Sequence, residues 1–410
     1  MQRLTRETSA TGWHILPANR QVRFCLAKRG HSQPGTLSKR YTDFSDPGPL
    51  HACEDGCPVS DAVWFPELTV MTNKNSLLLS TGTLTMSNII TLEAADSDST
   101  ARISVDRGFN CFEFKADVDG RMVDVIDSQN GFADGEGRVS GNGIPLLFPF
   151  PNRINDGSFS WAGKHYQLSE ESVGYDGNGN AIHGFCIDRP WRVVAQGDDF
   201  VIGEFQLSSD APDRLELWPA DFVIRVHYEL NASTLHSRFE IYNPDKVALP
   251  WGLGTHAYFK LPLTSETEAT KCLCQAPVTQ QWELFDCLPT GKKDALPADF
   301  PLADGVYFGE RKLDDVFSGV PVDIVECLIM DEAAGLQITQ RTPGSFQELV
   351  IYTPPNRNAI CFEPYTCVTD AINLEQGESA KQARNTGWKT LGPGEMFVTW
   401  IDISAESVLV

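Results

Sequence analysis

The sequence predicts an all-β protein built as a large antiparallel β-sandwich, and three observations lead to that fold class. Turn-forming residues are abundant, with 33 Gly and 25 Pro among 410 residues, and 23 Phe are available for strands that bury one face. Short segments of alternating apolar residues recur along the chain, and no window has a long amphipathic pattern. No repeat of fixed period is present, which disfavours a propeller or a solenoid.

The strands are predicted to pair as hairpins, because apolar alternation continues on both sides of short turn sequences. The three clearest examples are residues 112–125 around Asp119-Gly120, residues 159–168 around Ala162-Gly163, and residues 226–241 around Asn231-Ala232-Ser233. The best short helix candidate is residues 378–384.

The chain changes character near residue 85. Residues 1–85 carry nine Lys or Arg and seven Asp or Glu, whereas the whole chain has 33 and 55, for a net charge of −22. This segment lacks sustained periodicity, so we predict a weakly structured N-terminal extension over 1–85 and one sandwich domain over 86–410. A targeting peptide is a less favoured interpretation, because no apolar stretch with a small-residue cleavage site follows the basic residues.

Charge and composition restrict the partners. A strongly acidic chain is unsuited to nucleic acid or to an anionic membrane surface, so a small neutral ligand is expected. The longest apolar run, residues 144–150, is too short to cross a bilayer and contains two prolines. Eleven scattered Cys fit reduced, buried thiols, which predicts a cytoplasmic location.

Several common motifs are absent or lack their context. There is no G-x-S-x-G, G-x-x-x-x-G-K-[ST] or H-E-x-x-H sequence. Residues 252–257 satisfy G-x-G-x-x-A formally, but Pro250 precedes them and no helical pattern follows. Zinc at His51, Cys53 and Cys57 is disfavoured, because a second closely spaced Cys/His pair is missing.

Four polar residues in apolar or glycine-rich surroundings are candidates for chemistry: Arg153, His183, His256 and Glu363. Each also has an ordinary structural interpretation, as a rim arginine, as a core histidine or as a paired buried carboxylate. A His and a Glu together suit general acid–base catalysis, but two His and one carboxylate also form catalytic metal sites. The residue types alone leave both possibilities open.

Six segments, taken in chain order, resemble the motifs of the aldose 1-epimerase (galactose mutarotase) family. They are residues 143–154 (GIPLLFPFPNRI), 180–184 (NAIHG), 250–256 (PWGLGTH), 313–317 (LDDVF), 352–355 (YTPP) and 363–371 (EPYTCVTDA). The likeness spans roughly residues 95–403 and leaves residues 1–85 outside it.

This resemblance implies a galactose mutarotase-like supersandwich that binds a sugar in an open cleft, with no metal or organic cofactor. It implies that Glu363 is the general base, that His256 is the general acid, and that His183 polarises sugar oxygens as the third catalytic residue. By the same resemblance, the sugar-binding residues are Arg153, Asn152 and Asp314, with Asp315 as second choice for the last.

The implied reaction opens the ring of a free aldose of the glucose or galactose type and closes it on the other face. Glu363 would begin ionised and His256 protonated, since each must transfer a proton in both directions. Alternatives are a hexose-6-phosphate 1-epimerase and a non-catalytic carbohydrate-binding protein. The arginines available to a phosphate are Arg189, Arg311 and Arg357. The preferred sugar and the oligomeric state stay open.

Some further residues have a favoured structural role. Core packing is preferred over sugar stacking for four aromatic residues near the motifs, namely Trp161, Phe185, Trp251 and Tyr258. Cys186 and Cys367, which lie near the motifs of His183 and Glu363, are expected to be packing thiols rather than nucleophiles.

Overall fold

The computed structural model describes residues 89–376 and 385–408. The extension predicted over residues 1–85, with its zinc interpretation, lies outside the described residues, and so does the helix candidate 378–384. The division at residue 85 therefore stays a prediction. No helix in the described ranges has the length and apolar character needed to span a bilayer.

Strands dominate the described chain, and its two α-helices, α1 (Leu207–Asp210) and α2 (Ala371–Leu374), are single turns. The first fourteen strands are β1 (Ile89–Glu93), β2 (Thr100–Ser104), β3 (Asn110–Val118), β4 (Arg121–Asp124), β5 (Leu146–Leu147), β6 (Arg153–Ile154), β7 (Ser158–Trp161), β8 (Lys164–Gln167), β9 (Gly174–Tyr175), β10 (Ala181–Ile182), β11 (Arg192–Gln196), β12 (Phe200–Gln206), β13 (Val223–Asn231) and β14 (Thr234–Tyr242).

The remaining strands are β15 (Leu249–Trp251), β16 (Gly254–Thr255), β17 (Ala257–Lys260), β18 (Cys272–Gln275), β19 (Gln280–Phe285), β20 (Leu288–Ala295), β21 (Val306–Tyr307), β22 (Asp314–Ser318), β23 (Ile324–Asp331), β24 (Leu336–Pro343), β25 (Glu348–Tyr352), β26 (Ala359–Tyr365), β27 (Lys389–Leu391) and β28 (Met396–Ser407).

Two large sheets organise these strands. The nine-stranded sheet has the order β11-β12-β13-β14-β28-β24-β23-β18-β21. The second, here called the site sheet, has the order β20-β19-β22-β25-β26-β16-β5, with β17 also paired to β26. The three predicted hairpins are present as β3-β4, β7-β8 and β13-β14, each antiparallel. The all-β prediction is confirmed.

The alternation of buried and exposed residues along the strands explains how the core forms. On β14, buried residues alternate with half-exposed ones, as expected for a strand with one face in the core. Strand β26 differs, because all seven of its residues are buried. Ile360 and Phe362 on one face of β26 join the main apolar core, and the Phe362 carbonyl accepts a hydrogen bond from Gln340 of β24. The opposite face of β26 is therefore free to carry polar groups.

Candidate active site

The site sheet places the candidate residues through the register of its central strands. Gly254 pairs with Tyr365 and Ala257 with Phe362, so the same register sets His256 opposite Glu363. On the other side of β26, Val350 of β25 pairs with Glu363. Residues directly opposite in antiparallel strands project from the same face. One face of the sheet thus brings together residues more than a hundred positions apart in the chain.

A second row of side chains lies beside the first on this face. Asp314 pairs with Tyr352, which in turn pairs with Cys361, and Cys361 pairs with Tyr258. Because side chains alternate along a strand, Cys361, Glu363 and Tyr365 share a face of β26. The polar residues of the candidate site therefore follow from a period of two along β26 and its neighbours.

His256 and Glu363 form a buried pair. The Nε2 atom of His256 lies 3.2 Å from Oε1 of Glu363, and their side chains are only 8% and 2% exposed. The Tyr365 hydroxyl donates a hydrogen bond to Oε2 of Glu363. The Tyr258 ring stacks on His256 at a centroid distance of 4.6 Å, and its hydroxyl lies 3.4 Å from Nε2. Both members of the pair are fixed by neighbours on the same sheet face.

Burial shifts the ionisation of this pair. It raises the pKa of Glu363 well above its usual range, a shift that the Tyr365 hydrogen bond opposes. It lowers the pKa of His256 well below its usual value, and the nearby His183 adds to that shift. Burial thus favours the neutral form of each side chain, whereas the sequence expectation places a charge on both. At 3.2 Å the two groups can pass one proton between them, so a neutral pair and an ion pair differ only in that proton's position.

Arg153 reaches the site from β6 and is fixed on two sides. Its Nε donates to Oδ2 of Asp176 at 2.6 Å, and its Nη1 donates to Oδ1 of Asn152 at 2.8 Å. Asp176 is held in turn by Asn180, and hydrogen bonds lower the pKa of Asp176 to about 2. The guanidinium is therefore oriented before any ligand arrives, and its Nη2 has no hydrogen-bond partner among the described residues.

His183 follows β10 in a left-handed backbone conformation, with φ of 69°. Its backbone N–H donates to the carbonyl of Asn152 at 2.8 Å, and the next residue, Gly184, packs so closely on Phe148 that a Cβ there would lie 2.3 Å from the Phe148 oxygen. The His183 ring is 5.7 Å from that of His256. Burial and the charge of Arg153 lower the pKa of His183 to about 3, which makes it a neutral hydrogen-bonding group.

The two aspartates of the LDDVF segment point in different directions. Asp314 is exposed to the cavity, whereas Asp315 is half-buried and accepts a hydrogen bond from Gln281 at 2.8 Å. This difference follows from strand alternation, because Asp314 and Asp315 are neighbours on β22. Asp314, the first choice made from the sequence, therefore lines the cavity, and Asp315 does not.

These residues enclose a cavity of about 300 Å³. It is lined by Asn152, Arg153, His183, His256, Asp314 and Glu363, together with Arg138, Ser140, Gly141, Ile182, Tyr258, Val350 and Tyr352. All six predicted site residues are thus brought to one place. A larger groove of about 780 Å³ shares four of these lining residues, Arg138, Ser140, Ile182 and His183, and continues past Tyr175 and Gly177.

Comparison with known proteins identifies the family of this chain. The sequence model of the aldose 1-epimerase family matches residues 120–404, which is most of the chain. The chain belongs to the aldose 1-epimerase family. An uncharacterized Escherichia coli protein, YihR, is 26% identical over 230 residues, which cover 56% of this chain and 71% of YihR.

Solved structures show the fold of this aldose 1-epimerase family member. A galactose mutarotase-like protein from Clostridium acetobutylicum superposes with a TM-score of 0.65 at 23% identity, covering 76% of this chain and 93% of that protein. The GalM/aldose epimerase homologue from C. elegans gives a TM-score of 0.63 at 18% identity, with 79% and 100% covered. The galactose mutarotase-like fold expected from the motifs is confirmed.

Other residues singled out in the sequence of this family member lie away from the cavity. Phe185 and Trp251 are core residues, and Trp161 packs partly buried against the core. Tyr258 is the exception, because it lines the cavity. Cys186 and Cys367 are fully buried, as expected for packing thiols.

The three arginines considered for a phosphate are each paired with a carboxylate. Arg189 pairs with Asp213, Arg311 with Asp299, and Arg357 with Asp127, and none of the three lines the cavity or the groove. Arg357 also lies over the Tyr258 ring, 4.4 Å from its centroid.

Sequence reasoning missed four groups that complete the site: Tyr352, Tyr365, Asp176 and Arg138. The two tyrosines were detectable in principle. Tyr365 stands two residues after Glu363, so strand alternation puts them on one face, and Tyr352 lies in the YTPP segment. Asp176 and Arg138 lie in loop regions, where no periodic pattern indicates which way a side chain points.

Proposed function

We propose that this protein is an aldose 1-epimerase that interconverts the α and β anomers of a free aldose of the glucose or galactose type. The observation that carries the proposal is the buried His256–Glu363 pair, 3.2 Å apart, at the wall of a cavity that also presents Arg153 and Asp314. A proton donor and a proton acceptor fixed side by side are what hemiacetal ring opening requires.

The reaction uses both groups in each direction. Glu363 takes the proton of the anomeric hydroxyl while His256 gives a proton to the ring oxygen, and the bond between C1 and the ring oxygen breaks to leave an aldehyde. Rotation about the C1–C2 bond presents the other aldehyde face, and reversed proton transfers close the ring as the opposite anomer. Each positioned acid or base contributes roughly 10²–10⁴-fold. Only the ion-paired form of His256 and Glu363 performs the first step, so the groups that stabilise that form set the rate.

The surrounding residues bind the sugar and assist this step. Arg153 and neutral His183 are donors to sugar oxygens on which negative charge develops, and they are oriented in advance by Asp176 and by the backbone of Asn152. Asp314 is placed to accept hydrogen bonds from ring hydroxyls. A free aldose is favoured over a hexose 6-phosphate because Arg189, Arg311 and Arg357 are each paired with a carboxylate and none of the three lines the cavity. The adjoining groove gives room beyond one sugar ring, so reducing disaccharides also fit.

The experiment that tests this function is the relaxation of optical rotation of freshly dissolved α-D-glucose and α-D-galactose, with the full chain and with Glu363→Gln. We expect the wild type to accelerate relaxation and Glu363→Gln to lose about 10²-fold or more of that acceleration. Asp315→Asn is the matched control, because it removes a carboxylate that does not line the cavity, and it should retain the rate.

The outcomes separate the alternatives. Glucose 6-phosphate as the sole substrate would replace the proposal with the hexose-6-phosphate reaction. Sugar binding, measured by calorimetry, without any rate enhancement would favour a non-catalytic binding protein. Full activity in Glu363→Gln would show that the assigned base is wrong.

A further inference from the structure

A thiol that the proposed mechanism does not use lies beside the acid–base pair. Cys361 is fully buried on the same face of β26 as Glu363, two residues away. One ligand atom each from Cys361, His256 and Glu363 lies within 4.8 Å of the others. Across residues 89–376 and 385–408, this is the one group of three such side chains close enough to share a metal ion.

We propose that His256, Cys361 and Glu363 bind a thiophilic divalent cation of the Zn²⁺ class, and that its binding inhibits the enzyme. Zn²⁺ takes nitrogen and oxygen ligands at about 2.0–2.2 Å and sulfur at about 2.3 Å in tetrahedral geometry. Donors sharing one such ion are therefore roughly 3.3–3.6 Å apart. The 3.2 Å between Nε2 of His256 and Oε1 of Glu363 is already close to this spacing. The Cys361 sulfur lies within 4.8 Å of the other two donor atoms, so a movement of about 1 Å brings it into range.

The surroundings of the three donors point to inhibition rather than to a resident cofactor. The other ring nitrogen of His256, Nδ1, is buried and has no hydrogen-bond partner among the described residues. Histidines of resident metal sites almost always donate that N–H to a protein group. An ion at this position occupies the lone pairs of Glu363 and His256 that proton transfer needs. The fourth ligand position can be filled from the cavity that both residues line.

Such an ion binds reversibly through three protein donors, so a chelator that removes it should restore the rate.

The inhibitory half of this inference rests on the proposed function, whereas the binding half does not, so the two are measured separately. Binding is measured on the untagged full chain by competition between the protein and a chromophoric chelator for Zn²⁺. Co²⁺ is the second probe, because a cobalt–thiolate bond gives a charge-transfer band in the near ultraviolet. Cys361→Ser and Cys361→Ala remove the thiol. Cys287→Ser, which removes a partly exposed thiol, is the matched control.

We expect the wild type and Cys287→Ser to show the cobalt–thiolate band, and both Cys361 variants to lose it. Zn²⁺ affinity and the Zn²⁺ concentration that halves the mutarotation rate should each weaken at least tenfold in the Cys361 variants. Because other thiols of the chain also compete for added metal, the Cys361 variants decide the outcome rather than the total number of ions bound.

The proposal is overturned if the wild type shows no cobalt–thiolate band, or if the band survives in folded Cys361 variants. It is also overturned if Zn²⁺ inhibits the wild type and the Cys361 variants equally. Zn²⁺ binding that depends on Cys361, in a protein that never accelerates mutarotation, would keep the metal site and refute the proposed function.

Discussion

Replacing Tyr365 with Phe tests whether its hydroxyl stabilises the ionised form of Glu363 inside the core. Tyr365 is fully buried and donates its hydroxyl to Oε2 of Glu363, which is itself only 2% exposed. A hydrogen bond to a charged group contributes about 1.5–3 kcal/mol. Since one pKa unit corresponds to about 1.36 kcal/mol, its loss should raise the pKa of Glu363 by about 1–2 units.

The direction of the effect on activity follows from the proton that His256 and Glu363 share. Without the tyrosine hydroxyl, the arrangement with Glu363 ionised becomes less populated, so the plateau of kcat/KM should fall roughly 10–100-fold. Loss of the shared proton at high pH also leaves Glu363 ionised. The substitution therefore raises the apparent pKa at which the pair loses its shared proton. The alkaline limb of the pH profile should move upward by about 1–2 units.

The assay is the initial rate of optical-rotation change of α-D-galactose, measured between pH 5 and 10 for the wild type and Tyr365→Phe. Tyr352→Phe is the matched control, because Tyr352 lines the same cavity and makes no hydrogen bond to Glu363. Circular dichroism checks that each variant folds. An unchanged plateau and an unmoved alkaline limb in folded Tyr365→Phe would refute the role given to this hydroxyl.

Three further predictions concern residues that shape the cleft. Asp176→Asn removes the charge that orients Arg153, so KM for galactose should rise about tenfold with a smaller change in kcat, as steady-state kinetics will show. Gly177 lines the groove, and a Cβ there meets no atom within 4 Å, so Gly177→Trp places a ring in the groove. This variant should lower kcat/KM for lactose relative to galactose about tenfold or more, whereas Gly177→Ala should leave that ratio unchanged. Gly254→Ala brings a Cβ within 2.3 Å of the Tyr365 ring, so it should lower stability by about 1–3 kcal/mol in denaturant titrations and reduce activity, with Gly177→Ala again as control.

Short sequence segments were enough to predict much of the fold and to name the candidate site residues. Hairpins such as β13-β14 were predictable because apolar alternation and turn chemistry act over a few residues. The six candidate site residues, which the structure brings to one cavity, were named because each lies in a short segment with a family resemblance. Asp314 was chosen over Asp315 from that resemblance, and alternation along β22 places it on the cavity side.

The charges of the site residues, and which of them meet in three dimensions, could not be predicted from short sequence segments. The sequence expectation gave Glu363 and His256 opposite charges, because a sequence shows residue types and not the burial that shifts their pKa values. The thiol of Cys361 passed unnoticed, since its significance depends on lying on the same strand face as Glu363 and close to His256.

The sequence by itself determined the all-β class, the family and the candidates for proton transfer, because these depend on local pattern and side-chain chemistry. The tertiary structure alone decided which groups meet. The register of β17 and β25 on β26 sets His256 and Val350 beside Glu363. Loop residues such as Asp176 then orient Arg153 across the cavity. Contacts between strands distant in the chain fix these distances, and no short stretch of sequence encodes them.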